Sequence, residues 1–202
     1  MEDNEVPEDA QSVSRITDPR ALRALAHPLR LALLARLRAL GPLTATKAAE
    51  LLGESSASCS FHLRQLSKYG LVEEAGGGQG RERPWRATAM ITNIPETSDN
   101  PEFEAAAQLF RSIVLERYFT SAMHWLESKP DEPEEWQRAG QINDLLLYLT
   151  PDELAEMEQP MREAYRRYGD RLTDPARRPP GARLVQYIQL GFPIDTQLGA
   201  GQ

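Results

Sequence analysis

From Thr44 to Ala89 the apolar and polar positions fall into a short helical pattern, a turn, a Ser-rich second helical pattern and a Gly-rich basic stretch, without a gap. In Thr44–Leu52, Ala48, Leu51 and Leu52 recur on one face at helical spacing, Thr44 offers an N-cap hydroxyl, and Gly53 supplies the stop. Ser55 and Ser56 then offer caps to a helix predicted to run to about Tyr69 and to end at Gly70. At about 100° per residue, Cys59, Leu63 and Leu66 share one side of this helix, while Ala57, Phe61, Arg64 and Lys68 share the other. The first set is expected to face the core. A helix, a glycine turn and a second helix make a helix-turn-helix unit.

The next residues predict a hairpin. Leu71–Glu74 and Arg81–Thr88 read as two short strands around Ala75-Gly76-Gly77-Gly78-Gln79-Gly80. Such a wing beside a helix-turn-helix points to double-stranded DNA as the partner. Ser56, Ser58, Ser60, Phe61, Arg64, Gln65 and Lys68 are then the candidates for base edges and phosphates, and Arg81 and Arg83 for phosphates or a minor groove. Phe61 has two readings: it meets thymine methyls or a sugar, or it packs on the wing or a neighbouring helix. His62 lies between the two faces and is expected to be packed with one hydrogen bond. Arg81 and Arg83 could equally sit on an ordinary solvated hairpin.

Further along, Ile91–Asn100 reads as a Pro, Ser and Asn-rich linker, and Pro101 can open a helix. From Glu102 to about Ser128 there is neither Gly nor Pro. Phe103, Ala107, Phe110, Val114, Tyr118, Ser121 and Trp125 recur three and four apart. This stripe is expected to pair with a second subunit, the alternative being that it packs on its own chain. Beyond Lys129–Pro133, Asn143–Thr150 reads as a strand or a helix end. Thr150-Pro151-Asp152-Glu153 is a capping box opening a helix to about Tyr168, with a kink or break at Pro160. Ala182–Leu190 reads as a second strand.

The expected fold class is therefore mainly α with small β content (α+β): an acidic disordered tail over 1–14, a winged helix-turn-helix domain over 15–90, a linker over 91–100, a long dimerisation helix over 101–128 and a small α/β module over 134–195. The aromatic residues of that module form its core, or line a cavity for a small-molecule or protein effector that the sequence does not name.

A net charge of −7 taken as a whole opposes DNA binding, and its distribution answers the objection. Residues 15–90 hold twelve Lys/Arg against six Asp/Glu, residues 1–14 contribute −5 and residues 91–202 contribute −8. The acidic start is neither a signal peptide nor an anchor, and no apolar run approaches the ~18 residues that span a bilayer. One cysteine excludes a disulfide framework within the chain, so a reducing cytoplasm is expected. Neither a triad with family spacing nor a phosphate-cradling loop followed by Lys-Ser/Thr occurs, so no enzyme activity and no cofactor are expected.

Two segments resemble one family. Ser60-Phe61-His62-Leu63-Arg64-Gln65-Leu66-Ser67-Lys68-Tyr69-Gly70-Leu71-Val72 is similar to the S-x-H-L-x-x-L-x-x-x-G-L-V signature of ArsR-type winged helix-turn-helix transcriptional regulators. Ile16–Arg30 resembles the same family's opening ALAHPLR segment. The likeness covers about residues 15–90. It implies a homodimeric DNA-binding regulator, by default a repressor, with residues 55–69 as recognition helix. The family's metal sensors carry paired thiolates in the preceding helix or His and carboxylate clusters. Here Thr44–Leu52 has neither Cys nor His, Cys59 falls on the inward face, and His27, His62 and His124 are scattered, so no metal is expected. Two other readings remain: a winged-helix protein-interaction module without DNA binding, and a metal or redox sensor acting through Cys59.

Overall fold

β-Branched residues near the start find a distant partner. In the computed structural model, which describes residues 13–76 and 83–195, β1 (Val13–Arg15) lies parallel to β4 (Ile91–Asn93), with Val13 opposite Ile91 and Arg15 opposite Asn93. The expected linker over 91–100 thus begins as a strand, and the last two positions of the expected acidic tail belong to β1. The rest of that tail lies outside the described residues.

Helix starts follow the capping residues. Asp18 accepts the Arg20 N–H at 2.8 Å to open α1 (Pro19–Leu25), and His27 Nδ1 accepts the Leu29 N–H at 3.2 Å to open α2 (Pro28–Leu40). Thr44 caps α3 (Ala45–Leu52) and Ser55 caps α4 (Ser56–Ser67), each accepting at 3.1 Å from the N–H three residues on. Between them Gly53 takes φ 67°, a left-handed conformation that costs other residues energy. β2 (Val72–Glu74) and β3 (Trp85–Ala87) pair antiparallel, and Leu43, just before α3, exchanges two main-chain hydrogen bonds with Trp85 at 3.0 and 2.8 Å. That bridge ties the wing to the helix-turn-helix.

One core joins these elements. Leu22, Leu25, Leu33, Cys59, Leu63, Leu66 and Val72 are buried together. The expected inward trio of α4 therefore holds. On α3 the expectation needs correcting, because Ala48 and Ala49 are buried while Leu51 is exposed. The reason is angular: Ala48, Ala49 and Leu52 cluster within about 100° on the wheel, and Leu51 falls outside that arc.

The long helix α5 (Pro101–Ser128) enters the same core, with Phe103, Ala106 and Ala107 buried and Phe110, Ile113 and Val114 packed against it. Arg23 and Glu102 pair across the α1–α5 contact at 2.6 Å. Arg38 of α2 donates to Ala89 O at 2.8 Å and to Thr92 Oγ1 at 2.7 Å, and burial lowers its pKa to about 10, with Arg117 adding to the shift. The stripe read from the sequence as a pairing face thus turns, in its first half, toward its own chain. At its far end Trp125 meets Gly140, where a Cβ would collide with the indole.

Beyond α5 come α6 (Glu134–Ala139), α7 (Pro151–Glu156), α8 (Gln159–Tyr168) and α9 (Asp170–Thr173). The capping box forms as expected: Glu153 Oε2 accepts the Thr150 N–H at 2.7 Å, and Thr150 Oγ1 accepts the Glu153 N–H at 3.3 Å. The break also occurs, with Pro160 in the first turn of α8. The two expected strands do not form. Residues 141–150 and 182–190 have no strand partner among the described residues, so this part is helices joined by chain without regular structure. The chain is α+β overall, mostly helical, with its β content in the two small N-terminal sheets.

Candidate nucleic-acid interface

Because Cys59, Leu63 and Leu66 are fully buried, the opposite side of α4 must face outward. Phe61 is 54 % exposed, and Ser56, Arg64 and Lys68 are exposed beside it. Ser58, Ser60 and Gln65 are half-buried on the flanks. Phe61 makes an edge contact with the His62 ring at 5.2 Å, yet most of its own ring stays open to solvent.

The flanks differ. On one side Ser60 and Arg64 join Thr44, Ala45 and Thr46 from the start of α3 and Glu74, Arg83 and Trp85 from the hairpin around a groove of about 410 Å³. Arg64 donates to Ser60 Oγ at 2.9 Å, which holds the guanidinium along the helix. Arg83 pairs with Glu74 at 3.2 Å, and Arg86 with Glu73 at 2.7 Å. Both pairs are largely exposed and so contribute little stability of their own, about 0–1 kcal/mol. Arg81 and the Gly-rich tip lie outside the described residues. Thr44 and Thr46 are groove residues that periodicity did not place there. Thr44 was legible only as a cap, and Thr46 reaches Ser56 Oγ at 3.4 Å only because the two helices cross.

The other flank holds a pair that spacing gave no hint of. His62 packs against His27 with ring centroids 4.5 Å apart and the rings tilted by 39°, across the junction of α1, α2 and α4. His62 Nδ1 is buried without a hydrogen-bond partner, so the expected single hydrogen bond is not made at that nitrogen, and the ring instead packs at a tilt against His27. Burial lowers both pKa values, and the nearby Arg30 lowers them further, against a smaller opposing effect of Glu54. The proximity of His27 also disfavours protonation of His62. No third His, Cys, Asp or Glu is placed with them to hold a metal among the described residues. Burial also raises the Cys59 thiol pKa, which disfavours the thiolate needed for redox or metal chemistry.

These elements form a capped helix, a left-handed glycine, a second helix with an outward polar face, and a tethered hairpin. Residues 25–75 match the family model of a helix-turn-helix domain. The match takes in the end of α1, all of α2, α3, α4 and β2, and stops before β3. No curated protein matches the chain. No helix among the described residues is long and apolar enough to cross a membrane.

Proposed function

We propose that the protein is a homodimeric, sequence-specific DNA-binding transcriptional regulator of the ArsR type, acting as a repressor in the cytoplasm. The reading rests on one observation above the rest: the exposed face of α4, carrying Phe61, Arg64 and Lys68, adjoins the groove that Arg83 reaches from the wing. In this reading α4 enters a major groove, where Arg64 and Gln65 read base edges, Phe61 touches thymine methyls, and Lys68 and Ser56 hold phosphates. Ser58 and Ser60 contact the backbone from the two flanks. Arg83 exchanges Glu74 for a phosphate, and Arg81 joins it in the wing. The helix-turn-helix match and the excess of basic residues over 15–90 support the same reading.

Dimerisation is supported by a second apolar row on α5. Leu115, Phe119, Met123 and Leu126 are exposed on the side away from the inward stripe, at spacings of four, four and three. A two-fold dimer matches an operator of two half-sites. The C-terminal part over 134–195 is then where an effector, a small molecule or a protein, would act on the dimer.

The test is charge reversal on the proposed recognition face. DNA bound by the protein is recovered genome-wide, and a recovered fragment is titrated in fluorescence anisotropy. Arg64→Glu with Lys68→Glu is expected to abolish binding while the circular dichroism spectrum is kept. The single variant Lys68→Gln, which takes one positive charge off a phosphate, is expected to flatten the salt dependence by about one unit of slope. Wild-type affinity in the double variant would sink the reading.

A further inference from the structure

Two stretches of the C-terminal part are almost free of charge in a region otherwise dense in it. Leu145–Leu149 is five apolar residues in a row, and Leu184–Ile194 contains no charged residue, whereas fourteen of the 33 residues from Pro151 to Arg183 are charged. Apolar chain of this kind is expected in a core. Here it is open to solvent: Tyr148 is 100 % exposed, Leu146 and Tyr187 75 %, and Phe192 68 %.

The main chain is open as well. From 141 to 149 and from 183 to 194 no backbone N–H or carbonyl takes part in a backbone–backbone hydrogen bond among the described residues. Yet the second stretch is held in place. Arg183 is paired with Glu132 at 2.6 and 3.0 Å and lies over the Trp136 ring, Gln189 donates to Met157 O at 2.9 Å, and Gly191 adjoins Leu154. A pinned, uncharged segment without helix or strand structure, whose main-chain groups make no backbone hydrogen bond, has the properties of a sheet edge that lacks its neighbour.

We propose that 143–149 and 184–190 are β-strands completed by a second copy of this chain, forming one sheet across the subunit interface. The inference rests on the homodimeric reading above and adds to it a second, main-chain-paired contact besides α5. The area suffices. Nine large apolar side chains within 143–149 and 184–190 are each at least 41 % exposed, and at roughly 100 Å² apiece they offer on the order of 900 Å² per chain, against ~800 Å² per partner in a standard interface. Soluble monomers rarely leave so many large apolar side chains open along two short stretches. Leu145–Leu149 and Leu184–Ile194 carry no charge themselves, so two copies can meet along these strips without bringing like charges together, although residues 91–202 carry −8.

The experiment combines sedimentation velocity with hydrogen–deuterium exchange on the full-length protein, above and below its dimer dissociation constant. Amides of 144–149 and 184–190 are expected to exchange at least tenfold more slowly in the dimer than in the monomer. Leu147→Pro and Ile188→Pro, which each remove a strand donor, are expected to weaken dimerisation at least tenfold, and Leu147→Val and Ile188→Val to leave it intact. Since these amides make no backbone hydrogen bond within the chain, the proline variants are expected to keep the wild-type melting temperature below the dimer dissociation constant. If they unfold instead, exchange in the wild type decides. A dimer with fast-exchanging strands overturns the inference and leaves the dimer reading standing. Equal protection in the monomer overturns it in favour of pairing within one chain. A monomer at every concentration overturns both and assigns the strips to a different partner.

Discussion

The two halves of the chain contain comparable apolar material and treat it in opposite ways. Between Ile16 and Ala107 the leucines of α1, α2 and α4, with Phe103, close into one core; none of the described residues after Ala107 is buried. The difference does not lie in helix formation. Thr150 and Glu153 make a complete capping box, as good locally as the Thr44 cap of α3. It lies in closure: α2, α3 and the wing bring three sides to α4, whereas the segments around α7 and α8 contribute no buried residue. Good local structure is therefore not evidence of a finished fold, because stability comes from burial between elements.

The sharpest way to break the comparison is to cut the same kind of contact in both halves. Phe103→Ala is expected to cost about 3–5 kcal/mol in chemical denaturation, since it empties a site that is 2 % exposed. Leu146→Ala, at 75 % exposure, is expected to leave the stability of the monomer unchanged. A large effect of Leu146→Ala below the dimer dissociation constant would show that the second half has a core of its own.

A smaller effect separates local from global capping. Thr44→Ala is expected to lower global stability by about 1 kcal/mol, because α3 unfolds with the core. Thr150→Ala should reduce helical circular dichroism without moving the main melting transition. Coincident shifts of both variants would mean that the halves unfold as one unit.

The smallest effect is expected from pH. His27 and His62 have folded pKa values lowered chiefly by burial, so the unfolded chain binds protons more readily. Stability from this pair is present above the unfolded value near 6.5 and is lost as pH falls through the folded values. Protonation at Nδ1 would also remove the cap that His27 gives α2. Melting temperatures measured from pH 8 down to 5 should fall in the wild type and fall less in His27→Asn, which keeps a capping oxygen without titrating. Parallel curves would show that the histidine pair has no part in the pH dependence.

Much of the N-terminal half was legible because its signals are local. Caps, the left-handed Gly53 and the spacing of Cys59, Leu63 and Leu66 act within a few residues, and they set the helices and the inward face of α4. The wing was legible from its glycines and flanking strands, but the Glu74 partner of Arg83 was not, because register decides which side chains meet across a hairpin. The misread segments are those where composition had to stand for a partner. Ile91–Asn93, read as the start of a Pro, Ser and Asn-rich linker, gained a strand partner in β1, and Asn143–Thr150 and Ala182–Leu190, read as strands, gained none.

By itself the sequence determined where helices start and stop, which side of α4 is apolar, and where the basic charge lies, since each depends on neighbours within one or two turns. Only the tertiary structure decided which of the two apolar sides of α5 turns inward, that His27 meets His62, that Leu51 stays outside, and that the first described strand belongs beside β4. Those outcomes depend on which surfaces close over one another across long stretches of chain, and periodicity along a single element carries no information about that choice.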